Sequence, residues 1–322
     1  MISDRFDPHI RAINIRRDLT AIADLIDISF AEQMDAEGRD YLRHIRQIAR
    51  GLGAFILDGN TPESSQLPFH GYLWEENNSI IGNLTLIPVR KRDRQTYFIA
   101  NVAVQPEQRG RGIARQLTDR AIAHVTEHGG KHIYLQVRSD NPSAIHIYLQ
   151  AGFEEFSRRT SWVFPADYHR SITSLPGLMV TRRRKDDWQQ QKDWLRQVYP
   201  QEVAWNMPFS LQRLRPDFWV WLDNLLNAVS SRSWSARQNG RLIGTASYES
   251  GFSGSDYIWL ATSPAWEDTA IKVLLPYLYS RVFKPQHIMV NYPAGRGLTG
   301  FLESGMKELH TLIWMKKEIT PL

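Results

Sequence analysis

The pattern of hydrophobic and polar positions predicts that the chain begins with a strand and two helices. Residues 10–15 alternate between apolar and polar side chains, as a half-buried strand does. Asp18 then stands where it can cap a helix. The apolar face of that helix consists of Leu19, Ile22, Ala23, Leu25 and Ile26. A second helical pattern covers residues 40–50 and stops at Gly51.

The next pattern predicts a hairpin. Two apolar runs, residues 69–74 and 79–89, flank the turn residues Asn77 and Asn78. The polar segment before them, residues 59–68, predicts a mobile loop that could act as a lid.

Strands and helices alternate over the rest of this half. Strand character covers residues 97–104, helical periodicity covers residues 114–128, and residues 132–137 form another apolar strand. A further helix begins near Asn141, a strand follows it, and a last strand covers residues 158–164. The predicted order is therefore β-α-α-β-β-β-α-β-α-β-β.

Composition excludes several kinds of site. The chain has 322 residues, enough for two domains of about 150 residues each. It contains no cysteine, so it has no disulfide, no thiolate nucleophile and no cysteine-based zinc site. No apolar run reaches the roughly 18 residues of a membrane span, and the N-terminus lacks the apolar core of a signal peptide. We therefore expect a cytoplasmic protein without a membrane partner.

The charge of the chain favours a small anionic cofactor over a nucleic acid as the ligand. The formal net charge is +5, which is modest for this length. The basic cluster at residues 182–185 is followed at once by Asp186 and Asp187, so it does not form a continuous basic stripe.

A glycine-bearing turn between the strand 97–104 and the next helix is the strongest candidate site. Gly110 and Gly112 let backbone N–H groups turn inward, and the unpaired first donors of a helix face the same point. Arg109, Arg111 and Arg115 add positive charge. No Gly-Lys-Ser/Thr follows, so the turn is not a P-loop, and Arg115 replaces the third small residue of a dinucleotide fingerprint. The sequence predicts an anion-binding turn of another kind.

Two motifs, in order and separated by one helix and one strand, narrow the choice. The first is Gln108-x-x-Gly110-x-Gly112-x-Ala114, and the second covers residues 141–153 as Asn-x-x-Ala-x-x-Ile-Tyr-x-x-x-Gly-Phe. Both resemble motifs of the GNAT (Gcn5-related N-acetyltransferase) superfamily, as does the order of the predicted elements. The resemblance implies an α/β (α+β) fold, in which a mixed sheet carries helices on both faces. It also implies that the strands on either side of the loop and its helix diverge to admit a pantetheine arm.

The resemblance further implies acetyl-CoA as co-substrate, with no metal and no covalent enzyme intermediate. Val102, Ala103 and Val104 would offer backbone groups to the pantetheine and an N–H to the thioester oxygen. Tyr148 is the expected general acid, because a phenol titrates near 10 and can protonate a thiolate that titrates near 8.5. The other residues expected to bind the co-substrate are Gln108, Arg109, Gly110, Arg111, Gly112, Ile113, Ala114, Arg115 and Asn141. Asn141 could also cap the helix that begins there, because asparagine is a good N-cap residue.

The general base is left open by the sequence. The strand 97–104 carries no acid, so the candidates are carboxylates elsewhere or a chain of waters. The carboxylates are Glu75 and Glu76 in the hairpin, and Glu32 and Asp35 after the first helix.

Histidines spaced four apart do not predict a metal site. His124, His128 and His132 have this spacing, but Gly129 ends the helix between them. No Glu follows in the pattern of a zinc peptidase.

The second half of the chain repeats the first in a weaker form. Residues 239–244 resemble residues 77–82, and the second motif has a counterpart near residue 301. We therefore predict two GNAT-like domains in tandem, residues 1–168 and 178–322. The tandem could supply internally the contact that other members gain by dimerising, so a monomer is compatible with it.

The second copy departs from the first at the positions that would bind the co-substrate. Asp268 and Ala270 stand where the first copy has Gly110 and Gly112, and Phe301 replaces the tyrosine of the second motif. A carboxylate near a diphosphate is repelled, so we expect the second domain to have lost the cofactor.

The sequence thus predicts an acetyl-CoA-dependent N-acetyltransferase. Another acyl-CoA donor, and a non-catalytic CoA-binding regulatory module, are the alternatives that remain open. A tandem aminoacyl-transferase that uses charged tRNA is disfavoured, because residues 108–114 retain the motif that resembles the pyrophosphate-binding loop of the superfamily. The acceptor amine, a small molecule or a peptide, is not identified, although residues 27–40 and 59–69 are expected to face it.

Overall fold

The computed structural model of the chain describes residues 6–31, 34, 36–58, 70–89, 95–168, 176–217, 231–250, 255–282 and 287–320. The chain forms two compact units. The first consists of residues 1–156 together with 313–322, and the second consists of residues 157–312. Among the residues described, no helix combines the length and the apolar character needed to cross a membrane.

The first unit is a mixed sheet with helices on both faces, as predicted. Its strands lie in the order β1-β2-β3-β4-β5, followed by the end of β12. Neighbours from β1 to β4 are antiparallel, whereas β4 and β5 are parallel. The elements are β1 (Ile10–Ala12), α1 (Ile15–Phe30), α2 (Ala36–Asp58), β2 (His70–Glu76), β3 (Ser79–Pro88), β4 (Thr96–Val104), α3 (Ile113–Glu127), β5 (His132–Arg138) and α4 (Pro142–Gln150), with β12 spanning Lys307–Glu318.

Apolar side chains hold the helices on the two faces of this sheet. Leu117 of α3 lies in one buried cluster with Leu84 of β3. Ile22 of α1 and Ile45 of α2 lie in another, with Leu73 of β2. The helical faces read from the sequence are therefore the faces that pack on the sheet.

The second unit repeats this architecture, which confirms the predicted tandem arrangement. Its strands lie in the order β6-β11-β10-β9-β8-β7, with β10 and β11 parallel. The elements are β6 (Glu154–Val163), β7 (Leu178–Arg182), α5 (Trp188–Val198), α6 (Gln201–Ala204), β8 (Ser231–Gln238), β9 (Arg241–Glu249), β10 (Ser255–Thr262), α7 (Glu267–Tyr279), β11 (His287–Pro293) and α8 (Leu298–Glu303).

The two units exchange their last strands. β6 follows α4 of the first unit, but its residues from Ser157 onward belong to the second unit, where β6 pairs with β11. The end of β12 belongs to the first unit, and Ile313 and Met315 are buried in its core. The predicted domains, residues 1–168 and 178–322, follow the sequence repeat, whereas each compact unit contains part of a strand from the other copy.

The start of α1 differs from the prediction. The helix begins at Ile15, and the side chain of Asn14 caps it by accepting a hydrogen bond from the Arg16 N–H at 3.1 Å. Asp18 is instead buried one turn into the helix, where it pairs with Arg11 at 2.6 Å. A cap and a buried ion pair use the same residue types, so the sequence pattern does not separate them.

The hairpin turn agrees with the prediction, whereas the end of α2 and the number of strands at the end of the first half differ from it. Asn77 and Asn78 have φ of 50° and 62°, which fits the tight hairpin turn that was predicted. α2 continues through Gly51 to Asp58, and one strand, β6, replaces the two predicted at the end of the first half. The predicted loop at residues 59–68 lies outside the described residues.

Candidate active site

β4 and β5 separate part of the way along their length. They pair from Thr96 with His132 to Ile99 with Leu135, and no pairing is seen beyond those residues. The register of β4 against β3 also shifts there, and Asn101 has a φ of 52°. This β-bulge and the parting of the strands leave a gap at the carboxyl end of β4.

The turn after β4 presents backbone donors to the same end of the sheet. Gly110 and Gly112 have φ of 80° and 78°, a region that favours glycine. Gly112 directly precedes α3, whose first intrahelical bond runs from the Gln116 N–H to the Gly112 carbonyl at 3.0 Å. The N–H groups before Gln116 are therefore available to an anion. A Cβ added at either glycine would meet no atom within 4 Å, so the space beside the turn is open.

A cavity of about 560 Å³ joins the turn to the gap. It is lined by eleven of the thirteen residues that the sequence singled out, namely Val102, Ala103, Val104, Gln108, Arg109, Gly110, Gly112, Ile113, Ala114, Asn141 and Tyr148. Residues distant in sequence thus meet at one surface, as the two motifs predicted.

One part of the cavity wall consists of residues that the sequence did not identify as site residues. The end of α1 contributes Ile28, Ser29, Phe30 and Ala31. The expectation that residues 27–40 face a substrate was the only signal for this wall. The wall depends on how α1 crosses the sheet, which periodicity does not reveal.

The three arginines of the turn have different surroundings. Arg109 lines the cavity and donates from Nη2 to the Ser29 carbonyl at 3.1 Å. Arg111 pairs with Glu76 at 3.0 Å, and Arg115 pairs with Asp119 at 3.2 Å. Arg111 and Arg115 do not line the cavity, so their predicted contact with the co-substrate stays a prediction.

Tyr148 and Asn141 occupy the α4 side of the cavity. Tyr148 is 6% exposed and meets the ring of Phe153 edge to face. Burial raises the pKa of Tyr148 above its ordinary value, so the phenol stays protonated and can donate. Asn141 caps α4 by accepting from the Ala144 N–H at 3.0 Å.

The structure locates two of the four candidate bases. A hydrogen bond from Arg11 lowers the pKa of Glu75, and Glu76 is paired with Arg111. Neither lines the cavity. Glu32 and Asp35 lie outside the described residues.

The histidines of α3 take part in packing. His128 stacks on His124, and the Tyr72 hydroxyl lies 2.8 Å from Nδ1 of His124. Burial lowers the pKa of His124 to about 4. The described part of the chain contains no group of three or more histidines and carboxylates placed to hold a metal ion.

The second unit fills the corresponding place with its own side chains. Glu267, the first residue of α7, accepts hydrogen bonds from Tyr292 at 2.7 Å and from Nη2 of Arg296 at 2.5 Å. Asp268 accepts from the Gly300 N–H at 2.8 Å. The start of α7 therefore carries two carboxylates held by donors of the same unit, and their negative charge disfavours a bound anion there.

Comparison with known proteins finds a family that part of the chain matches. The Acetyltransferase (GNAT) family matches residues 37–153. The spermidine N(1)-acetyltransferase of Vibrio cholerae serotype O1 is 34% identical over 82 residues, which are 25% of this chain and 46% of that protein. The matching region therefore spans about half the length of that relative.

Two solved structures resemble the whole chain. A GCN5-related N-acetyltransferase from Sphaerobacter thermophilus covers 98% of this chain and 98% of its own, with a TM-score of 0.59 at 14% identity. A tandem GNAT protein from the clavulanic acid biosynthesis pathway covers 97% of this chain and 99% of its own, with a TM-score of 0.53 at 14% identity. These likenesses establish the fold of both halves.

Proposed function

Because residues 37–153 match the Acetyltransferase (GNAT) family, we propose that the first unit transfers an acetyl group from acetyl-CoA to an amine. The observation that carries the proposal is the cavity. Its wall includes both the start of α3 and the end of β4 that β5 leaves unpaired. A ligand with a diphosphate at one end and an extended amide-bearing arm at the other matches this combination.

The turn and the start of α3 are suited to the diphosphate. The glycines allow close approach, the first N–H groups of α3 donate, and Arg109 adds charge at the cavity wall. Backbone groups of residues 102–104 then bind the amides of the pantetheine arm, because β5 leaves this part of β4 unpaired.

Transfer requires a new C–N bond and loss of the C–S bond. The lone pair of the amine attacks the thioester carbonyl carbon, and the displaced electron pair rests on the carbonyl oxygen until the C–S bond breaks. Tyr148 donates its proton to the departing thiolate, and water receives the proton that the amine loses. Tyr148 then regains a proton from water, because its raised pKa makes the phenolate a strong base.

Replacing Gly112 by valine tests the binding turn. A β-branched residue is strained at a φ of 78°, and its side chain would fill the open space beside the turn. We expect the affinity for coenzyme A to fall roughly tenfold or more, since a close backbone contact and its hydrogen bonds are lost. Calorimetric titration with coenzyme A measures the change.

Gly129→Val is the matched control for this variant. Gly129 also has a positive φ, 68°, with no atom near an added Cβ, but it follows α3 and does not line the cavity. The control should lose similar stability and keep its affinity for coenzyme A. Equal losses of affinity in both variants would contradict the assignment of the turn.

The acceptor is sought by screening amines for release of free thiol from acetyl-CoA. The panel contains polyamines, amino acids, amine-bearing antibiotics and peptides with a free N-terminus. Polyamines are included because the relative from Vibrio cholerae is named for spermidine. The proposal predicts acceptor-dependent thiol release that Tyr148→Phe abolishes, and thiol release that is independent of every amine would contradict it.

A further inference from the structure

Asn83 is a buried polar residue with an unusual environment. It lies on β3, is 0% exposed, and donates from Nδ2 to the Asn101 carbonyl at 2.7 Å. Its Oδ1 is also buried, and no described atom hydrogen-bonds to it. A buried acceptor without a partner costs free energy that an apolar side chain of the same size would avoid. The hydrogen bond from Asn83 to the Asn101 carbonyl is the contact that an apolar side chain could not make.

That contact determines the direction of one peptide group. The chain has no cis peptide bonds in its described part, so the Asn101 carbonyl and the Val102 N–H point in opposite directions. The carbonyl points toward β3, where Asn83 holds it. The Val102 N–H therefore points away from Asn83. At this residue β4 and β5 have already parted, and Val102 lines the cavity.

A second contact holds the bulge through the side chain of Asn101. The side chain of Asn101 donates from Nδ2 to the Tyr41 hydroxyl of α2 at 2.6 Å. Asn101 itself has a φ of 52°, a conformation that asparagine tolerates better than most residues. The main chain and the side chain of the bulge residue are thus both anchored, so the Val102 N–H has a fixed direction before any ligand binds.

We propose that Asn83 is a positioning residue that aims the Val102 N–H at the oxygen of the bound thioester. The inference rests on the proposed function and deepens it. Negative charge develops on that oxygen when the amine attacks, and a donor that is already in place stabilises this charge without reorganising. Asn83 acts through the Asn101 peptide and does not itself touch the substrate.

The test compares Asn83→Leu with Thr96→Val. Leucine matches asparagine in size but lacks the donor. Thr96 is a matched control, because it is also fully buried with an unpartnered hydroxyl, but it lies where β4 is still paired with β5. We expect kcat to fall by about tenfold to a hundredfold in Asn83→Leu, somewhat less than when an oxyanion donor is removed outright. The affinity for coenzyme A should change by less than about twofold, since coenzyme A has no thioester oxygen.

A spectroscopic measurement separates aiming from general loss of structure. Infrared difference spectra of isotope-labelled acetyl-CoA report how strongly the protein hydrogen-bonds the thioester carbonyl. The carbonyl stretch should lie at lower frequency in the wild type and in Thr96→Val than in Asn83→Leu. If Asn83→Leu does not fold, Asn83→Ala also removes the donor without adding an apolar side chain of the same bulk, and the same differences are expected.

Two results would overturn the inference. One is a folded Asn83 variant with wild-type kcat, and the other is an unchanged carbonyl frequency in a variant whose kcat has fallen. Failure of the proposed function looks different, because the wild type would then neither bind coenzyme A nor release thiol from acetyl-CoA.

Discussion

Deletion of residues 313–322 is expected to unfold the first unit, even though both motifs lie in the first half of the chain. These residues belong to that unit, and Ile313, Trp314, Met315 and Ile319 are each less than 9% exposed. Burial of one such side chain contributes about 1.5–3 kcal/mol, so four contribute roughly 6–12 kcal/mol. A whole domain is stable by only about 5–15 kcal/mol. Loss of the strand should therefore remove the candidate active site along with the fold that carries it.

A point variant tests the same claim with a protein that can still be purified. Met315→Ala, at a side chain 1% exposed, should lower the free energy of unfolding by about 2–5 kcal/mol. Leu302→Ala is the control, because that side chain is 57% exposed and its loss should cost less than about 0.5 kcal/mol. Chemical denaturation and hydrogen exchange of α3 measure both. A truncated chain that keeps protected amides in α3 would contradict the exchanged-strand account.

Tyr148→Phe is expected to lower kcat by about 100-fold to 10,000-fold, the usual contribution of a general acid. The change removes only the hydroxyl, and the ring keeps its contact with Phe153. The affinity for coenzyme A should stay within about threefold of the wild type, since the phenol acts on the thiolate only as it forms. Because burial raises the pKa of Tyr148, the wild-type rate should not fall through ionisation of this group as the pH rises to about 10.

Steady-state kinetics with a fixed acceptor measure these changes. Tyr97→Phe serves as the control, since its half-buried ring packs near His124 and does not line the cavity. If Tyr148→Phe turns over at the wild-type rate while it still binds coenzyme A, another group or water protonates the thiolate.

Local features of the site follow from the sequence, because each depends on few neighbouring residues. Positive φ at Gly110 and Gly112, the cap at Asn141 and the turn at Asn77 are properties of short segments. The lone asparagine of β3, Asn83, was visible in an apolar run, but its role depends on a carbonyl in the next strand.

Long-range pairing does not follow from the sequence in the same way. The alternation of apolar and polar residues in β6 and β12 predicts strands, but it does not predict the strands with which they pair. The exchange of β6 and β12 between the units, and the wall that α1 adds to the cavity, depend on tertiary packing. The carboxylate at Asp268 departs visibly from the motif in the sequence, whereas the contacts of the neighbouring Glu267 with Tyr292 and Arg296 are evident only in the folded unit.

Calorimetric titration of the intact chain with coenzyme A tests whether the first unit binds the coenzyme and the second unit does not. The first unit offers an open turn with free donors, whereas in the second Glu267 already lies at the start of α7. We expect measurable heat and one molecule bound per chain. The affinity should fall roughly tenfold or more in Gly112→Val and be retained in Gly129→Val. Absence of binding, or two equivalent sites per chain that survive Gly112→Val, would contradict this expectation.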